Sequence, residues 1–457
     1  MKTFNILYLI IILFLLKITI SCEKLVEVEI PNNQITKDQV FEDVQTANAA
    51  LAGLYAGMRD SSPIAGDNAG KLFGSYTDDL DCYVTIYVNA LFDLYRNQQI
   101  AANYTIYSYW SGTYQNIYLA NAIIEGVENS SALPAAEKSR IKGEALLMRS
   151  ILYFYLQQIF GDIPYVVSTN YQINQSLSKT PSLEVVAKLE SDLGQAANLL
   201  TDDYRNAERI YPNKKTAQLM LAKIYMLQNR WNDAETVLKS IVQSPLYQFE
   251  NNITKVFQKS GTHILWQLKP KYPGEGTKEA STYYFNNSAP DSYALTQDLV
   301  NSFSNGDLRK PNWMVAVTFN GNTWYRADKY KNRTNNTTEY SVVFRLEEAY
   351  LLFAETIVQQ NKLSEALPYI NATRQRAGLS ALTGGMTQPE LLNEILLENR
   401  KEFFTEMGHR FLDLKRMNRL NTLISVKPNW KSHHNLWPLP QQELLLNSNL
   451  NPQNTGY

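Results

Sequence analysis

Apolar positions recur at intervals of three and four along most of this chain, a spacing that predicts amphipathic helices. Between Val40 and Met58 they fall at Val44, Ala47, Leu51, Leu54, Tyr55 and Met58. Tyr109–Val127 and Ala135–Phe160 read the same way. The second of these stops at Gly161-Asp162-Ile163-Pro164, where glycine and proline end a helix. Ser182–Leu200 gives a further stretch, with Pro181 at its start and Ser182 placed to cap free backbone N–H groups.

A repeat follows. In Thr216–Ser244, Ala222, Tyr225, Ala234 and Leu238 occupy the small, aromatic, small and large slots of a tetratricopeptide helix hairpin. In Glu348–Gly378 the same slots hold Ala354, Ile357, Ala366 and Ile370, and Asn229 and Asn361 fall at the matching turn. Small residues let paired helices approach closely, while the large ones fill the gap between them. From Phe249 to Val343 the texture changes to Asn, Gly, Ser, Thr, Pro and aromatics. There, Trp313–Phe319 and Thr323–Tyr325 alternate on either side of Asn320-Gly321, which predicts a β-hairpin. The pattern therefore specifies a mainly α fold: a tetratricopeptide-like hairpin scaffold carrying a loop and short-strand insertion at about 249–343.

The N-terminus alters where this fold operates. Lys2 precedes a run, Phe4–Leu16, made almost wholly of Ile, Leu, Phe and Tyr. The run is shorter than the ~20 residues of a bilayer-spanning helix and reads as the apolar core of a secretory signal. It ends at Ser21-Cys22, a small residue before a cysteine, as in lipoprotein processing. Thr19 and Lys17 depart from that pattern, so from these residues alone an ordinary signal peptide or an uncleaved anchor stands beside lipidation of Cys22. The expected division is signal peptide 1–21, a polar tether 22–37 and one domain 38–457, the mature chain having about 435 residues, ample for a large core.

Composition narrows the function. A formal net charge of −1 with no long basic run leaves no electrostatic footprint for nucleic acid. The 29 Tyr, 7 Trp and 17 Phe suit sugar or peptide surfaces, and equally the packing of helices. Cys22 and Cys82 are the two cysteines; with Cys22 lipidated, no disulfide is possible.

Several motifs are specific in their order. RLEEAYLLFAE from Arg345, ALPYINATRQRAGL from Ala366, LENRKEFFTEMGHRFLDLKR from Leu397, Trp437-Pro438-Leu439-Pro440 with Glu443, and the final NPQNTGY succeed one another. ANAALAGLYAGM from Ala47, GEALLMRSILYFYLQQIFGDIPYV from Gly143 and Asp307-Leu308-Arg309 agree with them. Together they closely resemble the SusD/RagB family of nutrient-uptake lipoproteins of Bacteroidetes. Asn399, Met407 and Thr455 stand where that family commonly has Arg, Trp and Pro. The resemblance implies lipid attachment at Cys22 and an outer-membrane location facing the cell exterior. It also implies a SusC-like TonB-dependent transporter as partner and capture of oligosaccharide without catalysis. Peptide is the alternative ligand, since the family serves both, and a pure protein-interaction scaffold is a further alternative.

The densest charge lies in Glu398, Arg400, Glu402, Glu406, Arg410, Asp413 and Arg416. Carboxylate pairs at i,i+4 beside His409 invite comparison with glycoside hydrolysis. The competing reading is an ion-pair lattice tying the last helices to the C-terminal tail, with Glu406 and Arg410 paired on one helical face. Arginines keep carboxylates ionised, which is wrong for a general acid and favours the lattice. His433-His434, on an expected extended segment, would point to opposite sides, so no metal site is expected there, nor any cofactor. No Gly-x-Ser-x-Gly elbow or phosphate loop is present, so no enzyme is expected.

Ligand contacts are expected in two aromatic, Asn- and Asp-containing stretches, Tyr76–Tyr109 and Tyr283–Tyr330. Sugar rings stack their C–H faces on aromatics, while Asp, Asn and Arg take the hydroxyls. In glycan-binding relatives, ligands are held by loops from these two parts of the chain. The candidates are Tyr83, Tyr87, Trp313 and Trp324, against the plain alternative that each packs a loop onto the helices.

Overall fold

The computed structural model describes residues 37–84 and 89–457. The signal segment, Cys22, nearly all of the tether and Tyr87 lie outside the described residues.

The scaffold begins with α1 (Val44–Asp60), capped by Asp43, whose carboxylate accepts from the Gln45 and Thr46 amides. After α2 (Asn68–Tyr76) and α3 (Asn89–Tyr95) come two long helices, α4 (Tyr104–Asn129) and α5 (Ala135–Phe160). α4 starts five residues before the apolar periodicity does, because the Asn103 side chain caps the amides of Thr105 and Ile106. α5 ends where expected, at Gly161 with φ 76°. In α6 (Ser182–Leu199) the cap differs from expectation. Ser182 already lies inside the helix, and its amide is capped by Asp162 from the preceding loop.

Helices α7 (Lys214–Leu227) and α8 (Trp231–Val242) form one predicted hairpin, and α9 (Leu346–Gln359) and α10 (Leu363–Arg376) the other. Both turns close alike. Asn229 (φ 56°) and Asn361 (φ 62°) adopt the left-handed conformation that Asn tolerates. The next amides then reach back five residues, Arg230 to the Tyr225 carbonyl (2.9 Å) and Lys362 to that of Ile357 (3.0 Å). Ala222, Ala234, Ala354 and Ala366 are fully buried between the helices. From α4 to α8 each helix packs on its successor, and α8 then packs directly on α9, so the insertion leaves the stack and returns to the same place.

The insertion is closed at its neck by β2 (Ile264–Leu268), which pairs antiparallel with β8 (Ser341–Arg345); β8 runs straight into α9. A smaller pair joins β3 (Gly274–Glu275) to β7 (Thr334–Asn336). Farther out lies a four-stranded antiparallel sheet of β4 (Tyr293–Leu295), β5 (Met314–Phe319), β6 (Asn322–Ala327) and β1 (Leu80–Cys82), in the order β1-β4-β6-β5. The expected β5–β6 hairpin is present, with Asn320 and Gly321 both at positive φ in its two-residue turn. The insertion does not build this sheet alone, because β1 comes from the N-terminal half and sets Leu80 opposite Leu295 and Cys82 opposite Tyr293.

A lattice of buried charges locks the insertion onto α11 (Gln388–Phe403) and α12 (His409–Arg416). Glu402 binds Arg345 and Arg376 and lies 3.5 Å from Arg309. Glu398 takes Arg309 (2.6 Å), and Glu406 takes Arg345 (2.9 Å) and Lys329 (2.6 Å). Arg400 and Arg410 reach back to Asp78 and Asp79, beside β1. This corrects two expectations. The partners are the insertion, the α9–α10 hairpin and the N-terminal half rather than the C-terminal tail. Glu406 and Arg410 are not paired either, because α11 ends at Phe403 and the chain turns through Thr405 (φ 63°) and Met407 (φ 44°). The turn fits closely against α2: a side chain at Gly70 would meet the Thr405 carbonyl.

Burial by itself would raise the pKa of Glu402 and Glu406, but the neighbouring Arg and Lys side chains hold both below the usual carboxylate range. Their stabilisation is thus complete above the unfolded value of about 4.3 and is lost as pH falls through it toward the lower folded value. Calorimetry between pH 6 and pH 3 should show Tm nearly level at first, then falling steeply; a level Tm throughout would refute this assignment.

Candidate functional site

Alternation along the strands divides the outer sheet into two faces. Leu80, Cys82, Tyr293, Leu295 and Met314 point inward into the second core cluster, where burial raises the pKa of the free Cys82 thiol. The opposite face gathers Phe285, Ala294 and Val317, with Tyr83, Val315 and Trp324 half-buried around them. The β1–β4 pairing continues past Cys82, the Tyr83 amide donating to the Ser292 carbonyl at 2.8 Å. That pairing brings the two predicted stretches together, placing the Trp324 indole and the Tyr83 hydroxyl around one small cluster. Burial, and after it the charge of Asp81, raises the pKa of that hydroxyl and keeps it protonated. Asp81 itself accepts from Tyr95 at 2.9 Å.

Arg326, two residues beyond Trp324 on β6, completes the face. It donates to the Phe285 carbonyl (2.7 Å), and its guanidinium lies 4.5 Å from the centre of the Tyr284 ring. Period-two spacing from Trp324 could have found it in the sequence. The result is a fixed patch of half-exposed ring faces beside a cation, with the exposed amides of Asn286 and Asn287 nearby. An adjoining groove of about 630 Å³ runs between α4 and the turn before α2, with Tyr104, Ser108, Gln115, Asn68 and Lys71 in its walls. Hydrogen bonds link it to the aromatic face through Asp67, Thr282 and Ser292.

Trp313 does not belong to this face. It closes a short helix, Arg309–Trp313, one residue before β5, and points the other way, into the core. At 1% exposure, with its indole N–H on the Ile253 carbonyl, it cannot stack on a ligand, and the sequence expectation for it is corrected.

Residues 29–226 match the family described as "Starch-binding associating with outer membrane", and residues 283–457 match the one described as "SusD family". The chain belongs to the SusD family. SusD-like protein P25 of Formosa agariphila is 24% identical over 98% of this chain and 99% of its own length. The crystal structure of a SusD superfamily protein from Bacteroides vulgatus superposes with a TM-score of 0.78 at 19% identity, covering 91% of this chain and 100% of that one. Surface glycan-binding protein A from Bacteroides thetaiotaomicron, in complex with laminarihexaose, gives 0.74 at 17% identity, with coverage of 90% and 99%. The helix pairs and small antiparallel sheets described above are thus those of the SusD fold.

SusD-family chains are binding proteins rather than enzymes. The carboxylates that suggested glycoside hydrolysis agree, since Glu398 and Glu402 are buried and bound to arginines, out of reach of any substrate. His433 and His434 sit on a 3-10 turn, not the expected extended segment, and their rings lie side by side at 4.3 Å. Burial, with the neighbouring His433 and Lys431, lowers the pKa of His434 to about 4, and its Nδ1 accepts from the Lys431 amide. Among the described residues, no group of His, Cys, Asp and Glu is arranged to hold a metal ion.

Proposed function

We propose that this chain is a surface-exposed outer-membrane lipoprotein, anchored at Cys22, that captures an oligosaccharide and delivers it to a SusC-like TonB-dependent transporter. The observation that carries this reading is the Tyr83–Trp324 pair: two half-buried rings packed on one small cluster, on the side of a sheet built from both halves of the chain. Pre-set rings lose little conformational freedom on binding and present flat apolar area to sugar C–H groups. The laminarihexaose bound by the Bacteroides thetaiotaomicron relative and the "starch-binding" description of the matched family support a glycan over a peptide. Loading and release would proceed by binding and movement over the transporter mouth, with no covalent step.

A glycan and peptide array on the soluble form lacking residues 1–22 tests the ligand class, and a peptide-only response would overturn it. For any oligosaccharide found, Trp324→Ala and Tyr83→Ala are each expected to weaken binding about tenfold or more in calorimetric titration. Unchanged affinity in both would move the site elsewhere.

A further inference from the structure

Beside Arg326, the aromatic face carries a second cation. The Arg333 guanidinium lies 3.7 Å from the centre of the Tyr284 ring, the same ring that Arg326 approaches to 4.5 Å. Like charges sharing one ring repel each other, and an anion beside both turns that repulsion into attraction. Two nearby carboxylates are already committed. Asp328 is divided between Arg326 (3.4 Å) and Lys331 (3.2 Å), and Glu339 accepts the Lys331 and Asn332 amides. Arg326 gives one Nη to the Phe285 carbonyl, while its Nε has no acceptor. Among the described residues, no carboxylate stands within ion-pairing distance of the exposed Arg333, and its N–H groups meet no acceptor.

An exposed arginine ordinarily moves freely, but this one is held. Glu339 fixes the two residues before it, and β7 begins at the residue after it, paired with β3. A side chain at Gly276 would strike the Asn332 and Arg333 carbonyls, so the loop lies tightly against that glycine. Tyr284 then holds the guanidinium at its ring and leaves the N–H groups free for a ligand.

A planar guanidinium with free donors matches the paired oxygens of a carboxylate or a sulfate. Both groups occur on the rim of a sugar ring: a uronate carries its carboxylate on the carbon beside the ring oxygen, and a sulfate ester replaces a hydroxyl hydrogen. A sugar stacked on Trp324, two residues from Arg326 on β6, can therefore present such a group to the arginines. The charge of Asp81 disfavours the reverse orientation, which brings the anion to Tyr83. We infer that the captured oligosaccharide is anionic, bearing carboxylate or sulfate groups, and that Arg333 and Arg326 select it. This deepens the oligosaccharide reading above and rests on it.

The full-length lipoprotein in detergent, applied to the glycan and peptide array, should respond to uronate-bearing or sulfated oligosaccharides ahead of neutral ones such as laminarihexaose. Carboxyl reduction and desulfation of the responding glycan tell the two groups apart, and removal of the charged group should abolish binding. In calorimetric titration with the unmodified glycan, Arg333→Ala should weaken affinity about tenfold or more. Arg333→Lys should restore only part of the loss, since an ammonium lacks the fork. Raising NaCl from about 0.05 M to about 0.5 M should weaken the wild type several-fold and the Arg333→Ala chain much less. Arg333 is exposed, so the variant should keep the wild-type Tm, and its lost affinity then reports recognition rather than unfolding. Unchanged affinity in Arg333→Ala, binding that survives removal of the charged group, or a response confined to neutral glycans overturns the inference and leaves the oligosaccharide reading standing. A response confined to peptides, or none at all, refutes that reading itself and this inference with it.

Discussion

Glu402→Ala is expected to destabilise the fold by about 3–5 kcal/mol, enough to unfold much of the population at moderate temperature. Glu402 is fully buried and faces three arginines, Arg309, Arg345 and Arg376. These come from the insertion, from β8 and from α10, so one carboxylate joins three parts of the chain that are distant in sequence. Removing it leaves like charges buried side by side, and the loss is far greater than any single ion pair contributes at the surface. Glu402→Gln keeps the shape but not the charge and should cost nearly as much. Glu184→Ala, at an exposed i,i+4 pair with Lys188, should change stability by less than about 0.5 kcal/mol. Urea denaturation of the three variants separates the cases. A Glu402→Ala protein as stable as Glu184→Ala would mean that the lattice is not what couples insertion to scaffold.

How much of this was legible in the sequence differed by element. The end of α5 and the two asparagine turns could be read directly, because glycine and asparagine there answer a local requirement for positive φ. Asn320-Gly321 announced the β5–β6 hairpin for the same reason. β1 could not be read. Three residues, Leu80-Asp81-Cys82, are too short for an alternating pattern, and they form a strand only because β4 lies alongside. The break after Phe403 was hidden too, since the strained residues there are Thr405 and Met407, which carry no turn signal. Reading a continuous helix through them produced the false Glu406–Arg410 pair. The proposed aromatic face draws on the two stretches singled out in the sequence, but which aromatic faced outward depended on the phase of a strand whose start was unknown. The face itself depended on a pairing between segments some two hundred residues apart, which no local pattern encodes.

Trp313→Ala and Trp324→Ala are expected to give opposite results, and the contrast tests the whole placement of the site. Trp313 is one of the largest fully buried side chains; Phe257 lies edge-on at 5.4 Å and the Lys329 ammonium 5.1 Å from its ring centre. Truncation leaves a cavity beneath the outer sheet and strips the Ile253 carbonyl of its donor, at a cost of about 3–5 kcal/mol. Oligosaccharide affinity of the fraction still folded should not change, because the face that carries Tyr83 and Trp324 lies on the other side of the sheet. Trp324→Ala removes a half-exposed ring from the margin of a small cluster, so its stability loss should stay near 1 kcal/mol while affinity falls. Urea midpoints paired with calorimetric titration of each variant read both quantities. A Trp313→Ala chain that is stable but binds weakly would show that the ligand enters from the buried side, and that the aromatic face has been assigned to the wrong surface of the sheet.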